Sequence, residues 1–422
     1  MPFLLSARAP DLRGKGANAV APCVAIPQKR RMTMPDLMVP DLMMPDFHIT
    51  GGAVLRPEGL CDAPLGIAAG QVAAEASGRA LHLPRWQVLP GIVDVHGDGF
   101  ERHLAPRRGA MRDLGAGLMA AEAELAANGI TTAYLAQFYS WEGGMRGPDF
   151  AAAMLRALDD VRPRVATDLR VQLRVETHLI DDYPAIEALI AAHDIGYVVF
   201  NDHIPHDALA RGKRPPRLTG QALKSGRNPE AHLALLQSLH DRREEVPAAL
   251  NQFAARLSSR NVLLGSHDDA TTADRQTARG QGLRVSEFPE TAEVAADAAA
   301  AGDAIVMGAP NVVRGQSHAG KVSAGFIARE GMCTALASDY HYPAPFQAAM
   351  ALAPDMGLGA AWALVSSGPA AMLGLRDRGT LASGARADLV AINPETRRPG
   401  LTVSGGRITY ADHQAAAVLL TA

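Results

Sequence analysis

The chain has 422 residues, 48% hydrophobic and 20% charged, with a formal net charge of −3. That composition affords a large core and excludes general disorder, and the charge gives no basis for nucleic acid or an anionic membrane as a partner. Its three cysteines, Cys23, Cys61 and Cys333, lie far apart, which argues against a disulfide scaffold and for a reducing cytoplasm; no apolar run is long enough to span a bilayer.

Residues 1–46 stand apart from the rest. They hold a basic cluster, Lys29-Arg30-Arg31, and a repeated Met/Leu-Pro-Asp theme from Met34 to Asp46, with no helical or strand period. Proline at this frequency breaks both elements. The segment is read as a disordered extension or an overlong start, with Met43 or Met44 as alternative initiators, and is set aside. Residues 47–88 alternate short apolar runs with Gly and Pro, as in Ile49 to Leu55 and Leu81 to Leu83, and residues 379–422 do the same at Asp388 to Ile392 and Leu401 to Ile408. Both flanks read as strands. Together they predict one small β-sandwich domain built from the two chain ends.

Between them, residues 89–378 alternate strand and helix. Strands are expected at Ile92 to Val95, Thr131 to Leu135, Arg170 to Val175, Tyr197 to Phe200, Val262 to Leu264, Arg284 to Glu287, Ala304 to Met307 and Thr334 to Ala337. Helix-like stretches such as Asp113 to Asn128, Ala185 to His193 and Thr291 to Ala301 separate most of them. Eight βα units predict an α/β fold of the TIM (β/α)8 barrel type, whose chemistry collects at the carboxyl ends of the strands. A long connection from His203 to Asn261 carries the basic tract Arg211 to Arg217, either a solvated excursion or a lid over an anionic substrate.

The strand ends carry the chemistry. The first strand runs into His96 with Asp98 two residues on, and residues two apart on a strand share a face. An imidazole and a carboxylate so placed can grip one divalent cation. Glu176 and His178 follow the third strand, Asp202 and His203 the fourth, His267 to Asp269 the fifth, Glu287 the sixth, and Asp339 the eighth. A lone histidine there is most simply a packed structural residue. Metal-compatible groups at nearly every strand end are not, because buried charge is costly unless it is paired or bound to metal.

With these residues assembled, the chain resembles the amidohydrolase superfamily. The resemblance rests on Pro90 to Asp98, on Gly129-Ile130-Thr131-Thr132, and on Gly379-Thr380-Leu381 through Gly384 to Val390. More closely it is similar to the PhnM family, the α-D-ribose 1-methylphosphonate 5-triphosphate diphosphatases of the carbon–phosphorus lyase pathway. Arg102 to Arg107, Ser266 to Thr271, Glu287-Phe288-Pro289, Gly308 to Gly320 and Ser338-Asp339-Tyr340 carry that similarity. The chain departs from the family pattern at Gly97, Gly99, Arg108 and His341, each at a place where substrate would be read.

The resemblance implies a hydrolase with two divalent ions per chain, Zn²⁺ first and Mn²⁺ or Fe²⁺ as alternatives. His96, Asp98, Glu176, His203, His267 and Asp339 would form the metal shell. Glu287 and His178 would be a sixth-strand ligand or an outer partner; whether His203 or Glu287 completes the shell stays open, with His203 preferred. Asp339 would take the proton of the attacking water. A small phosphorylated substrate would be held by Arg102, His103, Arg107, Arg314, Ser317, His318 and Lys321, with no membrane or nucleic acid involved and a homo-oligomer left open. The alternatives are an enzyme of the same fold acting on an amide, lactone or N-acetyl sugar, and a metal-binding scaffold without catalysis.

Overall fold

In the computed structural model, eight parallel strands stand side by side in sequence order. They are β1 (Ile92–Gly97), β2 (Ile130–Tyr139), β3 (Asp168–Glu176), β4 (Tyr197–Asn201), β5 (Leu263–His267), β6 (Val285–Glu287), β7 (Ala304–Gly308) and β8 (Ala335–Ala337). A parallel bridge from Gly97 to Asp339 joins the last strand to the first, so the sheet closes into a TIM barrel. The structure describes residues 45–107, 113–315 and 320–422. The expected N-terminal extension, but for Pro45 and Asp46, therefore lies outside the described residues, as do Arg108, Ser317 and His318.

Strand alternation divides the barrel residues into two sets. Tyr134, Tyr197, Val199, Val285, Val306 and Ala335 fill the barrel interior. Their neighbours, such as Leu135, Leu173, Val198, Leu264 and Ile305, lie in the larger cluster beneath the surrounding helices. The helix Leu114–Ala127 shows how the sequence marks these boundaries. Asp113 caps its start by accepting from the Ala116 amide at 2.9 Å, and Gly129 follows its end at φ +77°. That left-handed turn suits glycine, and a Cβ there would come within 2.8 Å of Val390.

Two further sheets come from the chain ends. Gln87–Pro90 lies between Ala53–Arg56, which it pairs in parallel, and Leu389–Asn393, which it pairs antiparallel. A four-stranded sheet holds Phe47–Thr50, Leu65–Ala68, Gln71–Ala73 and Arg79–His82. Phe47, Ile67, Val88, Leu389 and Leu401 are buried in one apolar cluster shared by the two sheets. Among the described residues no helix is long and apolar enough to cross a membrane.

Candidate functional site at the barrel mouth

Period-two alternation along β3 points Gln172, Arg174 and Glu176 to the same side, and all three are buried. Glu176 stands level with Asn201 on β4, and His267 on β5 stands level with Glu287 on β6. On β1 the pairing with β2 shifts between Asp94 and Gly97. Such an irregularity re-aims side chains: Val95 joins the barrel interior while His96, next in sequence, sits against Glu287 and Phe288.

The three mouth histidines each have Nδ1 beside a buried carboxylate. His267 Nδ1 lies 2.9 Å from Glu287 Oε2, His96 Nδ1 lies 3.1 Å from Glu287 Oε1, and His203 Nδ1 lies 2.5 Å from Glu176 Oε1. The His96 contact lacks hydrogen-bond alignment, so it is best described as a close charge contact. Glu287 Oε1 also accepts from the Gln172 amide at 2.5 Å. Glu176 Oε2 accepts from Trp141 Nε1 at 3.1 Å and from the His203 backbone at 3.2 Å. A carboxylate on Nδ1 fixes the ring and leaves Nε2 as the outward donor atom, the arrangement typical of metal-binding histidines. Both oxygens of Glu176 and Glu287 thus meet protein donors, and both residues are placed to orient imidazoles. The resemblance implies Glu176 as a metal ligand; in this structure its two oxygens meet Trp141 and His203.

Arg174 was not anticipated as a site residue. Its guanidinium donates to Asn201 Oδ1 at 2.7 Å through Nη2, lies 2.9 Å from His267 Nε2, and stacks 4.1 Å from the Phe138 ring centre. Counting back two and four residues from Glu176 was the signal that would have found Arg174 and Gln172. Burial, reinforced by the charge of Arg174, lowers His267 to a pKa of about 4, so this ring is neutral at physiological pH. Burial opposes the charged form of Glu287, but His96 and His267 outweigh it and hold the carboxyl well below its usual range.

Asp339 lies where the barrel closes. Its backbone donates to the His96 carbonyl at 2.9 Å, and the Asp98 amide donates back to the Asp339 carbonyl at 2.9 Å. It has φ +54°, and Asp268 and Phe288, which follow two other mouth residues, have φ +58° and +57°. Non-glycine residues in this region are strained, and such strain gathers at functional sites. Burial raises the Asp339 carboxyl to a pKa of about 6, with His96 pulling it down and Asp98 pushing it up. Glu101, also unanticipated, is raised by burial to about 7.

No family model matches the chain. It is 31% identical over 316 residues to the α-D-ribose 1-methylphosphonate 5-triphosphate diphosphatase of Escherichia coli strain K12, a match covering 72% of this chain and 82% of that one. The chain belongs to this diphosphatase family. Solved structures agree on the fold. A mutant N-acetyl-D-glucosamine-6-phosphate deacetylase from Mycobacterium smegmatis superposes with a TM-score of 0.57 at 16% identity, over 87% of this chain and all of that one (100%). A triazine hydrolase variant gives 0.60 at 14% identity, over 89% and 99%.

On this member of the diphosphatase family the expected substrate-side residues divide. Asp339, Arg314 and Lys321 line one cavity of about 230 Å³ with Asp268, Phe288 and Tyr340. Arg314 lies over the Tyr340 ring, and Lys321 Nζ is held 2.6 Å from Glu290 and 3.3 Å from Asp268. Arg102 and His103 instead meet Glu124 on the neighbouring helix, His103 at 2.6 Å. Arg107 is exposed at the edge of the described segment. A Cβ on Gly97 would come within 2.8 Å of Asp94 and 3.1 Å of Tyr342, and one on Gly99 within 3.2 Å of Tyr342. The buried Tyr342 ring occupies that room, so these two departures from the family pattern are matters of packing, and the adjacent His341 is exposed. His178 lies beside Asp202 and His206.

Proposed function

We propose that this chain is a divalent-metal-dependent diphosphatase of cytoplasmic phosphonate metabolism, hydrolysing α-D-ribose 1-methylphosphonate 5-triphosphate to the 5-phosphate and pyrophosphate. One observation carries the reading: a single cavity is lined by Asp339 at the barrel closure and by the cations Arg314 and Lys321. The kinship with the Escherichia coli enzyme supports the substrate class. The barrel, residues 89–378, would carry the chemistry, and segments 47–88 and 379–422 would form the β domain beside it.

The mouth suits a cation. Asp98, Glu176, Glu287 and Asp339 gather around one buried guanidinium, that of Arg174, and such a surplus of carboxylates is offset by a bound ion. His96 and His203 would hold it through Nε2 with Asp98 and Asp339 alongside, and His267 would join by exchanging the Arg174 contact on its Nε2 for the ion. Imidazole donors favour Zn²⁺, and Mn²⁺ or Fe²⁺ suit the carboxylates, with two ions per chain as the resemblance implies. When bound, such an ion lowers the pKa of water toward neutrality.

The protein's own groups do the rest. Glu176 and Glu287 hold the imidazoles in place. Asp339 accepts the proton as the water oxygen bonds to the α-phosphorus and the bridging oxygen leaves with pyrophosphate. Arg314 and Lys321 offset the charge on that leaving group, and the planar arginine fork suits phosphate oxygens. Arg314→Ala should cost about 2–4 kcal/mol in kcat/KM, as expected for a lost charge-stabilising donor, with metal content unchanged. Pyrophosphate release from the triphosphate by wild type and variant measures this. If the wild type turns over neutral amides or lactones instead, and Arg314→Ala does so equally well, the phosphate reading fails.

A further inference from the structure

A second cluster of metal-compatible side chains lies on the loops after β3 and β4, with Asp202 bordering the cavity that His203 and His267 also line. We propose that His178, Asp202 and His206 form a separate divalent-cation site, suited to Zn²⁺, that staples these two loops together. Their potential ligand atoms all lie within 4.8 Å of one another, and among the described residues no other His/Cys/Asp/Glu group of three does so.

The contacts suit a metal better than they suit hydrogen bonding. His178 is 5% exposed, and its Nε2 has no hydrogen-bond partner. Its Nδ1 has only the Thr177 hydroxyl at 3.2 Å and Asp202 Oδ1 at 3.5 Å. A buried imidazole this poorly satisfied calls for an explanation. His206 Nε2 lies 3.0 Å from Asp202 Oδ2. Zn–N bonds of about 2.0–2.1 Å in a tetrahedron put ligand atoms roughly 3.3 Å apart, so modest side-chain movement completes the site. His206 Nδ1 lies 2.7 Å from His240 Nδ1. That outer contact fixes the ring and frees Nε2, as outer partners of ligating histidines do. Three protein ligands leave a fourth position open to water, an arrangement common for zinc.

The staple has a consequence for the basic tract. His206 lines a cavity of about 600 Å³ together with Arg211, Lys213 and Arg214, and Asp202 is the sequence neighbour of His203. An ion here therefore anchors both the cationic loop and the approach to the mouth.

The test uses enzyme purified in zinc and dialysed, with metal counted by elemental analysis. His206→Gln and Asp202→Asn should each hold about one zinc fewer than wild type, consistent with loss of one three-ligand site. His267→Asn, which alters the mouth, should keep that zinc. Equal zinc in His206→Gln and wild type overturns the site. Failure of the mouth reading looks different: His267→Asn then loses nothing while His206→Gln still does. Should the His206 variant fold poorly, the wild-type and His267→Asn proteins decide. A chelator added to either should speed tryptic cleavage within Arg211–Arg217 about tenfold or more, as expected when a stabilising ligand is withdrawn from a local opening. Unchanged cleavage in both overturns the staple.

Discussion

Two buried arginines show how differently the same side chain can be used. Arg275, on the helix Thr272–Gly280, is 0% exposed. Its Nη1 donates to Ser266 Oγ at 2.8 Å and to Asp269 Oδ2 at 3.1 Å, its Nη2 donates to the Leu283 carbonyl, and its Nε lies 3.3 Å from Asp303. Asp269 and Asp303 are buried with it. Arg174, at the mouth, gives its hydrogen bonds to neutral groups, the Asn201 amide and the His267 ring, and stacks on Phe138. Its carboxylate neighbours Glu287, Asp98 and Glu176 act on it through charge. A structural arginine consumes the carboxylates around it. Arg174 leaves Glu176 and Glu287 free to bond the mouth histidines instead, and this separates a scaffold ion cluster from one whose carboxylates hold imidazoles in place.

The sharpest contrast should come from Asp339. Replacement by Asn should lower turnover about 10²–10⁴-fold, the usual range for a lost general base, without lowering the melting temperature. Its carboxyl is raised from 3.8 to about 6. The base is therefore protonated below that pH, and wild-type kcat/KM should fall as pH drops through 6. The stability sign is opposite: a raised carboxyl favours folding below its ordinary pKa, and that contribution is lost as pH rises through 6. A cation beside Asp339 moves that fall to lower pH, so a profile flat between pH 5 and 7 together with full turnover by Asp339→Asn would remove Asp339 from this role.

Arg275→Ala should cost about 3–5 kcal/mol of stability, because it strands buried carboxylates. Specific activity per folded molecule should hold, as read by thermal unfolding alongside active-site titration. Arg174→Met should show the reverse ranking. Unpairing Asn201 and His267 costs about 1–3 kcal/mol, while activity falls further than stability does. If Arg174→Met unfolds the protein as badly as Arg275→Ala, the distinction between the two arginines collapses.

Much of the barrel was legible because strand period and helix caps are local. All eight barrel strands fall on the expected segments, with ends shifted by a few residues, and His96, His203, His267 and Asp339 meet at one mouth. What escaped depends on partners distant in sequence. Trp141 reaches Glu176 only after β2 and β3 pair, and Arg102 and His103 turn to a glutamate on the next helix rather than to the mouth. Gly97 looked like a missing substrate contact until Tyr342 filled the space. Arg174 and Gln172 are legible by simple alternation back from Glu176.

Barrel closure also sets a timetable for synthesis. Pro90 lies one residue ahead of β1, yet it pairs with Leu389 and its carbonyl accepts from Trp362 Nε1 at 2.9 Å. Asp339 is likewise tied to His96 by the backbone bonds that close the ring. At about 5–20 residues per second, a ribosome takes roughly 15–60 s to travel from the first of these positions to the last. Until Asp339 is made β1 has no eighth neighbour, and through the whole interval the strand ending at Pro90 lacks one edge partner. Nascent chains of this enzyme should therefore pass through a long catalytically silent phase with open strand edges, and would profit from a chaperone until the last hundred residues emerge.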